Sequence, residues 1–276
     1  MTKTKTPYRY PGAKNRLLDK IIPHIEYILD ESDYYIEPFV GGGSVFLEIL
    51  SKDRFSEKKF VINDKDKSIY AFWKVVSDKN KINDLKKMVS NTNITVEEHK
   101  KQKQKINSND IVECAYASLF LNRTSFSGIM TSGPIGGKKQ EGKWKIGCRY
   151  NADAIIKKID SIHQKMISVN VSIYNEGFES IIYGHEGLNC AYYCDPPYVK
   201  KGNSLYRHGM TTDDHFNLML FLERNESKFV LSYDDTEEIR NLYSHYKTID
   251  TSAEYSISGK NRESWDKKNE LIIVGV

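Results

Sequence analysis

The sequence predicts an α/β fold whose core sheet is interrupted by a long, mainly helical insertion. Three observations carry this. Apolar, strand-favouring runs at residues 34–36, 59–62, 190–194, 228–233 and 270–274 alternate with stretches of helical spacing near both ends of the chain. Between residues 77 and 187 that alternation weakens while charge and polarity rise. A glycine-rich turn joins the first strand to a helix, and an acidic residue follows the second strand about 20 residues later, the order of a Rossmann-like unit. The expected division is therefore a sheet domain of residues 1–76 and 188–276, with 77–187 as the insertion.

Composition sets the bounds. A chain of 276 residues is long enough for one large domain or a domain with a sizeable insertion. Its 39% hydrophobic and 28% charged residues suit a soluble globular protein, and a net charge of +4 accommodates an anionic partner without requiring one. The first six residues lack an apolar signal core and no run reaches spanning length, so a cytoplasmic location without membrane segments is expected. Cys114, Cys148, Cys190 and Cys194 lack the paired spacing of a zinc site; they are expected as buried small hydrophobes, and no metal is called for.

Taken in order, Tyr8-Arg9-Tyr10-Pro11-Gly12-Ala13-Lys14 precedes a helix over 16–29 with Leu17, Leu18, Ile21, Ile22 and Ile25 at helical spacing. Tyr10 offers a flat surface and Lys14 a charge for an anion such as a ligand carboxylate; an ordinary basic turn is the competing reading. The strand at 34–36 ends in Glu37-Pro38-Phe39-Val40-Gly41-Gly42-Gly43-Ser44, followed by a helix over 45–50. Gly41 and Gly43 allow close backbone approach to a ligand, although a glycine run alone also suits a flexible turn. The strand at 59–62 ends at Asn63-Asp64, where a carboxylate can hold ribose hydroxyls or cap the helix of 66–76.

Within the insertion, the basic run 100–105 reads as a solvated helix face, and 111–121 as a core helix. Behind it come Asn122-Arg123-Thr124-Ser125-Phe126-Ser127-Gly128 and a glycine-rich, basic and aromatic stretch, 133–145, with Lys138, Lys143 and Trp144. Such a hairpin or loop suits a DNA groove, with lysines for phosphates and aromatics for bases; a disordered surface loop is the alternative. Beyond the insertion, helices are expected over 212–224 and 237–243.

The chemistry concentrates at Asp195-Pro196-Pro197-Tyr198. The apolar run before it places Asp195 at the carboxyl end of a strand, where open α/β sheets bind ligands. Proline restricts the backbone and leaves bare carbonyls, so the Asp195 carboxylate and the Pro196 carbonyl stand as two adjacent acceptors. An exocyclic amine such as N6 of adenine is a poor nucleophile because its lone pair is delocalised. Two fixed acceptors draw its hydrogens out of the ring plane and localise that pair, and Tyr198 can stack on the base. A bare turn is the alternative for four such residues in isolation.

Together, Tyr10 to Lys14, Glu37 to Ser44, Asn63-Asp64 and Asp195 to Tyr198 resemble the DNA adenine methyltransferases of the Dam type, in order and separation over nearly the whole chain. The resemblance implies a Rossmann-like S-adenosylmethionine-dependent methyltransferase sheet with a reversed last hairpin and a target-recognition region between the two motifs. It also implies cofactor contacts from Tyr10, Lys14, Asp64 and Asp195, with Glu37, Phe39, Gly41 and Gly43 of the glycine-rich turn expected beside them, and catalysis at Asp195, Pro196, Pro197 and Tyr198. The helix end Leu121-Asn122-Arg123 resembles the start of the family's DNA-reading hairpin, after which the pattern departs; DNA contacts from Arg123, Phe126, Ser127, Lys138 and Lys143 are expected from the chemistry of the stretch itself. Relatives that read GATC carry Tyr-Asn where this chain has Phe126-Ser127, so that specificity is not carried over. The expected activity is methyl transfer to N6 of a flipped adenine in double-stranded DNA, by a monomer, with a cognate restriction endonuclease left open. A cytosine N4 methyltransferase, an RNA or protein amide methyltransferase, and a catalytically silent DNA-binding regulator are the alternatives.

Overall fold

The computed structural model describes residues 4–9, 14–199, 207–224, 227–254 and 267–276. In chain order its first elements are α1 (Leu18–Asp30), β1 (Tyr34–Glu37), α2 (Ser44–Leu50), β2 (Lys59–Asn63), α3 (Lys67–Ser77), α4 (Ile82–Ser90), α5 (Val96–Lys105) and α6 (Ile111–Thr124). There follow α7 (Ala152–Met166), β3 (Asn170–Tyr174), α8 (Phe178–Tyr183), β4 (Cys190–Cys194), α9 (Thr212–Arg224), β5 (Lys228–Asp234), α10 (Glu237–Leu242), β6 (Lys247–Glu254) and β7 (Lys267–Gly275). Two compact units result: a sheet unit of Lys14–Val40, Glu57–Lys65 and Glu176–Val276, and a helical unit of Met1–Ala13, Gly41–Ser56 and Asp66–Asn175.

In the sheet unit six strands run in the order β2-β1-β4-β5-β7-β6. The first four are parallel, with Tyr34 opposite both Lys59 and Cys190, and Ala191 opposite Lys228. Their near-continuous apolar character follows from burial on both faces: every residue of β4 is buried. β7 enters antiparallel between β5 and β6, the reversed hairpin that the resemblance implies. That reversal has a local consequence. The N-terminal half of β7 lies beside the carboxyl end of β5, so Glu270 stands opposite Asp234. Ile36, Tyr192, Leu231 and Ile273 share the core. α1 carries Pro23 in its interior and buries Leu18, Ile21, Ile22, Ile25, Ile28 and Leu29 on one stripe, packed on β4 and β5.

In the helical unit α6 is the axis. Cys114 through Asn122 are all buried, because α3, α4 and α5 pack around it. Its start is fixed by Asp110, whose carboxylate accepts from the N–H groups of Val112 and Glu113. α5 buries only His99 and Gln102, while Lys100, Lys101 and Lys103 are exposed. Cys148 departs from the expected burial. It lies in a short 3-10 turn, Ile146–Arg149, in which only Ile146 is buried. Among the described residues no helix is long and apolar enough to cross a membrane.

Candidate active site

β4 delivers Asp195 to the carboxyl end of the parallel strands, and residues 195–198 continue without regular secondary structure. Pro196 and Tyr198 are buried, whereas the Asp195 side chain stays 23% exposed. Lys14, expected at a ligand carboxylate, is 1% exposed and gives its ammonium inward: Nζ is 2.7 Å from Asp195 Oδ1 and donates to Tyr198 Oη at 2.7 Å. Glu270 Oε2 is 3.8 Å from the same nitrogen, and Glu270 is itself 1% exposed. Lys14 thus sits between carboxylates from β7 and from the β4 exit. Burial pushes the Asp195 carboxyl up to about 6, against the pull of Lys14 and with a further upward push from Glu270.

A second carboxyl lies at the end of β1. Glu37 is buried and accepts a hydrogen bond from Tyr35 Oη. Burial holds it well above the usual carboxylate range, opposed by Tyr35 and reinforced by the charge of Asp195. The turn after Glu37 is stapled to β2 by Asn63: its Nδ2 donates to Pro38 O (2.9 Å) and Glu176 O (3.0 Å), and its carbonyl accepts from Val40 N at 2.9 Å. Phe39 packs on Phe178 with ring centroids 5.5 Å apart. Asp64, half-buried, follows directly. It does not cap α3; Asp66 does, accepting from Ser68 N at 2.9 Å.

The profile of the D12 class N6 adenine-specific DNA methyltransferases matches residues 10–257. The chain belongs to this family. It is 27% identical to the Type II methyltransferase M.MjaIII of Methanocaldococcus jannaschii, over 96% of this chain and 97% of that protein. Against the Type II methyltransferase M.CviBI of Paramecium bursaria Chlorella virus NC1A the identity is 24%, covering 96% of each. The DNA adenine methylase of Vibrio cholerae is 25% identical, over 99% of this chain and 96% of that one. The enzyme is an adenine-specific DNA methyltransferase that uses S-adenosylmethionine and acts on DNA.

The remaining candidates of this methyltransferase fall in the helical unit or outside the described residues. Tyr10 is outside them. Gly41 and Gly43 have φ of 47° and 66°, and a Cβ on Gly43 would lie 2.3 Å from the Trp73 ring, whose Nε1 donates to Gly41 O at 3.0 Å. The glycine run therefore answers to Trp73 packing as well as to any ligand. Beyond α6, Phe126 N donates to Gly133 O (2.9 Å) and Ile135 N to Thr124 O (2.8 Å), closing a short hairpin. Phe126 is 48% exposed and Ser127 adopts φ of 54°. The stretch after the hairpin is ordered around Gln140. Its Nε2 donates to Ile135 O (2.8 Å) and Gly137 O (2.5 Å), Ile146 N donates to its Oε1 at 2.8 Å, and Lys145 Nζ donates to its carbonyl. Lys138, Lys139, Lys143 and Trp144 are exposed on this loop, with Lys143 Nζ 5.7 Å from the centre of the Trp144 ring. Arg123 is half-buried and donates from Nη1 to Pro7 O at 3.2 Å. Sequence reading missed three residues here: Glu270, Asn63 as a staple, and Gln140. Only Asn63 carried a signal, its place at a strand end beside Asp64.

Proposed function

We propose that Asp195 and the Pro196 carbonyl accept the two N6 hydrogens of an adenine flipped out of double-stranded DNA. The observation that carries this reading is the carboxylate of Asp195, held by Lys14 at 2.7 Å and still partly open at the carboxyl end of the sheet. Hydrogen bonds to an ionised acceptor strengthen as positive charge develops on the amine, so they lower the barrier more than they tighten ground-state binding. Pro197 keeps the strand exit rigid, and Tyr198, tied to Lys14, forms the buried floor on which the base rests. Extrusion of the base costs a few kcal/mol, offset by contacts in the pocket.

S-adenosylmethionine supplies a methyl group activated on a sulfonium. The carboxyl ends of β1, β2 and β4 carry Glu37, Asp64 and Asp195: Asp64 accepts from the ribose hydroxyls, the Asp195 carboxylate gives a favourable field for the sulfonium charge, Glu37 is a polar contact at the end of β1, and Phe39 offers an apolar face. Tyr10, Gly41 and Gly43 complete the proposed cofactor contacts, and Lys14 serves chiefly by holding Asp195. Target recognition falls within residues 77–187, where Arg123, Lys138 and Lys143 meet phosphates and Phe126 and Ser127 meet bases. The enzyme acts as a monomer in the cytoplasm; a partner endonuclease fits the Type II names of two relatives. Duplex DNA incubated with the enzyme and labelled S-adenosylmethionine, then hydrolysed to nucleosides, should yield N6-methyladenine. N4-methylcytosine, or label in protein or RNA alone, would overturn the reading.

A further inference from the structure

In the helical unit Arg9, Arg123 and Arg149 feel one another's charge, and no carboxylate among the described residues is paired with them. Arg9 is fixed by its backbone: its N–H donates to Asn122 Oδ1 at 2.6 Å, and its carbonyl lies where a Cβ on Gly128 would approach to 2.2 Å. Asn122 Nδ2 in turn donates to Gly128 O at 3.0 Å, so Arg9 is clamped to the base of the hairpin that carries Phe126. Arg123 stands on the last turn of α6, and Arg149 ends the 3-10 turn Ile146–Arg149. Burial and the charge of Arg149 lower the Arg9 guanidinium; burial, Arg9 and Arg149 bring Arg123 down to about 10. Among the described residues the opposing groups are the Cys148 thiol for Arg9 and the Tyr150 hydroxyl for Arg123. Among the described residues, Arg9 Nη1 and Arg123 Nε are buried and make no hydrogen bond. Lys158, on α7, adds to the positive field around Arg123 and donates to Thr6 O at 3.1 Å.

Buried guanidinium donors without partners, held among like charges, are costly unless an anion takes them up. We propose that Arg9, Arg123 and Arg149 form a seat for one phosphate of the DNA backbone. The proposal rests on the DNA reading above and adds to it a fixed anchor that positions the hairpin. Planar guanidinium forks match phosphate oxygens two at a time, which a diffuse lysine surface does not. A backbone phosphate fits better than a free anion because the seat is built into the base of the hairpin bearing Phe126, beside the exposed lysines of the following loop.

The test measures duplex binding by fluorescence anisotropy at several salt concentrations for the full chain and for Arg9→Gln, Arg149→Gln and Arg9→Lys. Each glutamine variant should weaken binding roughly tenfold on every sequence and reduce the salt slope by about 1. Arg9→Lys should keep the slope and lose affinity. The DNA-free melting temperature of the glutamine variants should rise, since repulsion is relieved; a structural role would lower it. Wild-type affinity and slope in both glutamine variants, a lowered melting temperature, or a loss confined to S-adenosylmethionine affinity would each overturn the seat. Adenine methylation by the unmodified chain is scored in parallel. If it proceeds while the variants bind normally, only the seat fails; if the unmodified chain neither binds nor methylates duplex DNA, both readings fail.

Discussion

Around Asp195 the neighbours are buried and hold one another in place: Lys14 bridges Asp195, Tyr198 and Glu270, and Glu37 is tied to Tyr35. From Phe126 to Trp144 the arrangement is reversed, with exposed side chains on a backbone held by glycines, by Ser127 and Gln140 at positive φ, and by one amide side chain. The first region fixes the orientation of a few polar atoms, which bond-making requires. The second fixes the backbone and leaves the side chains reaching into solvent, which suits reading a large partner. Substitutions in the first should therefore change rate at constant sequence preference, and in the second preference or affinity at nearly constant chemistry.

The sharpest way to break that contrast is Asp195→Ala. Methyl transfer in a labelled-cofactor assay should fall about a thousandfold or more while the circular dichroism spectrum stays native. Near wild-type turnover would remove the carboxylate from the mechanism. Acidification probes the same group more gently. Because the Asp195 carboxyl is raised to about 6, kcat/KM should drop about tenfold per pH unit below that value. Stability should respond in the opposite sense: a carboxyl raised on folding binds its proton more tightly in the native state, so its contribution is present at low pH and lost as pH rises through about 6. Parallel rate and melting profiles should diverge in wild type, and Asp195→Asn should abolish that divergence.

On the recognition side, Phe126→Ala and Ser127→Ala should cost roughly 1 to 3 kcal/mol on the preferred site and relax the methylated profile there, read by sequencing methylated adenines. An unchanged profile would move base reading elsewhere in residues 77–187. Asp64→Ala should raise the cofactor KM about tenfold with little change in kcat, whereas Asp66→Ala should leave KM alone and cost about 1 kcal/mol of stability through the lost cap. Calorimetry showing equal cofactor affinity for Asp64→Ala and wild type would end the ribose assignment. The smallest effect belongs to Lys138→Ala, which should weaken all DNA sequences alike and reduce the salt slope by about 1.

Legibility followed the same division. The strand at 190–194 and the helix at 212–224 were readable because their apolar spacing is local, and Asp195 was readable because proline chemistry restricts its neighbours. β3 and β6 were not: β3 has no fully buried residue and β6 reads Lys-Thr-Ile-Asp-Thr-Ser-Ala-Glu, so neither shows an apolar run. Glu270 was visible as a strand residue but not as a neighbour of Lys14, because the antiparallel insertion of β7 joins positions 14 and 270 across almost the entire chain. Asp64 reads as either a ribose acceptor or the cap of the following helix, and the cap belongs to Asp66, two residues on, which the sequence places inside that helix. Between 133 and 145, glycine and lysine content suggested either a groove-binding loop or disorder, and the organising role of Gln140 depends on partners at 135, 137 and 146 that composition does not reveal.

Gln140 has a consequence for how such an enzyme diversifies. Its amide ties the loop together through main-chain atoms: the carbonyls of Ile135 and Gly137 and the N–H of Ile146. None of those bonds depends on which side chains stand at 138, 139, 143 or 144. Point changes at these positions can therefore accumulate without refolding the loop, whose main-chain course is held by Gln140. The exposed tips are free to vary, and the amide that shapes their support is the position where variation should be purged.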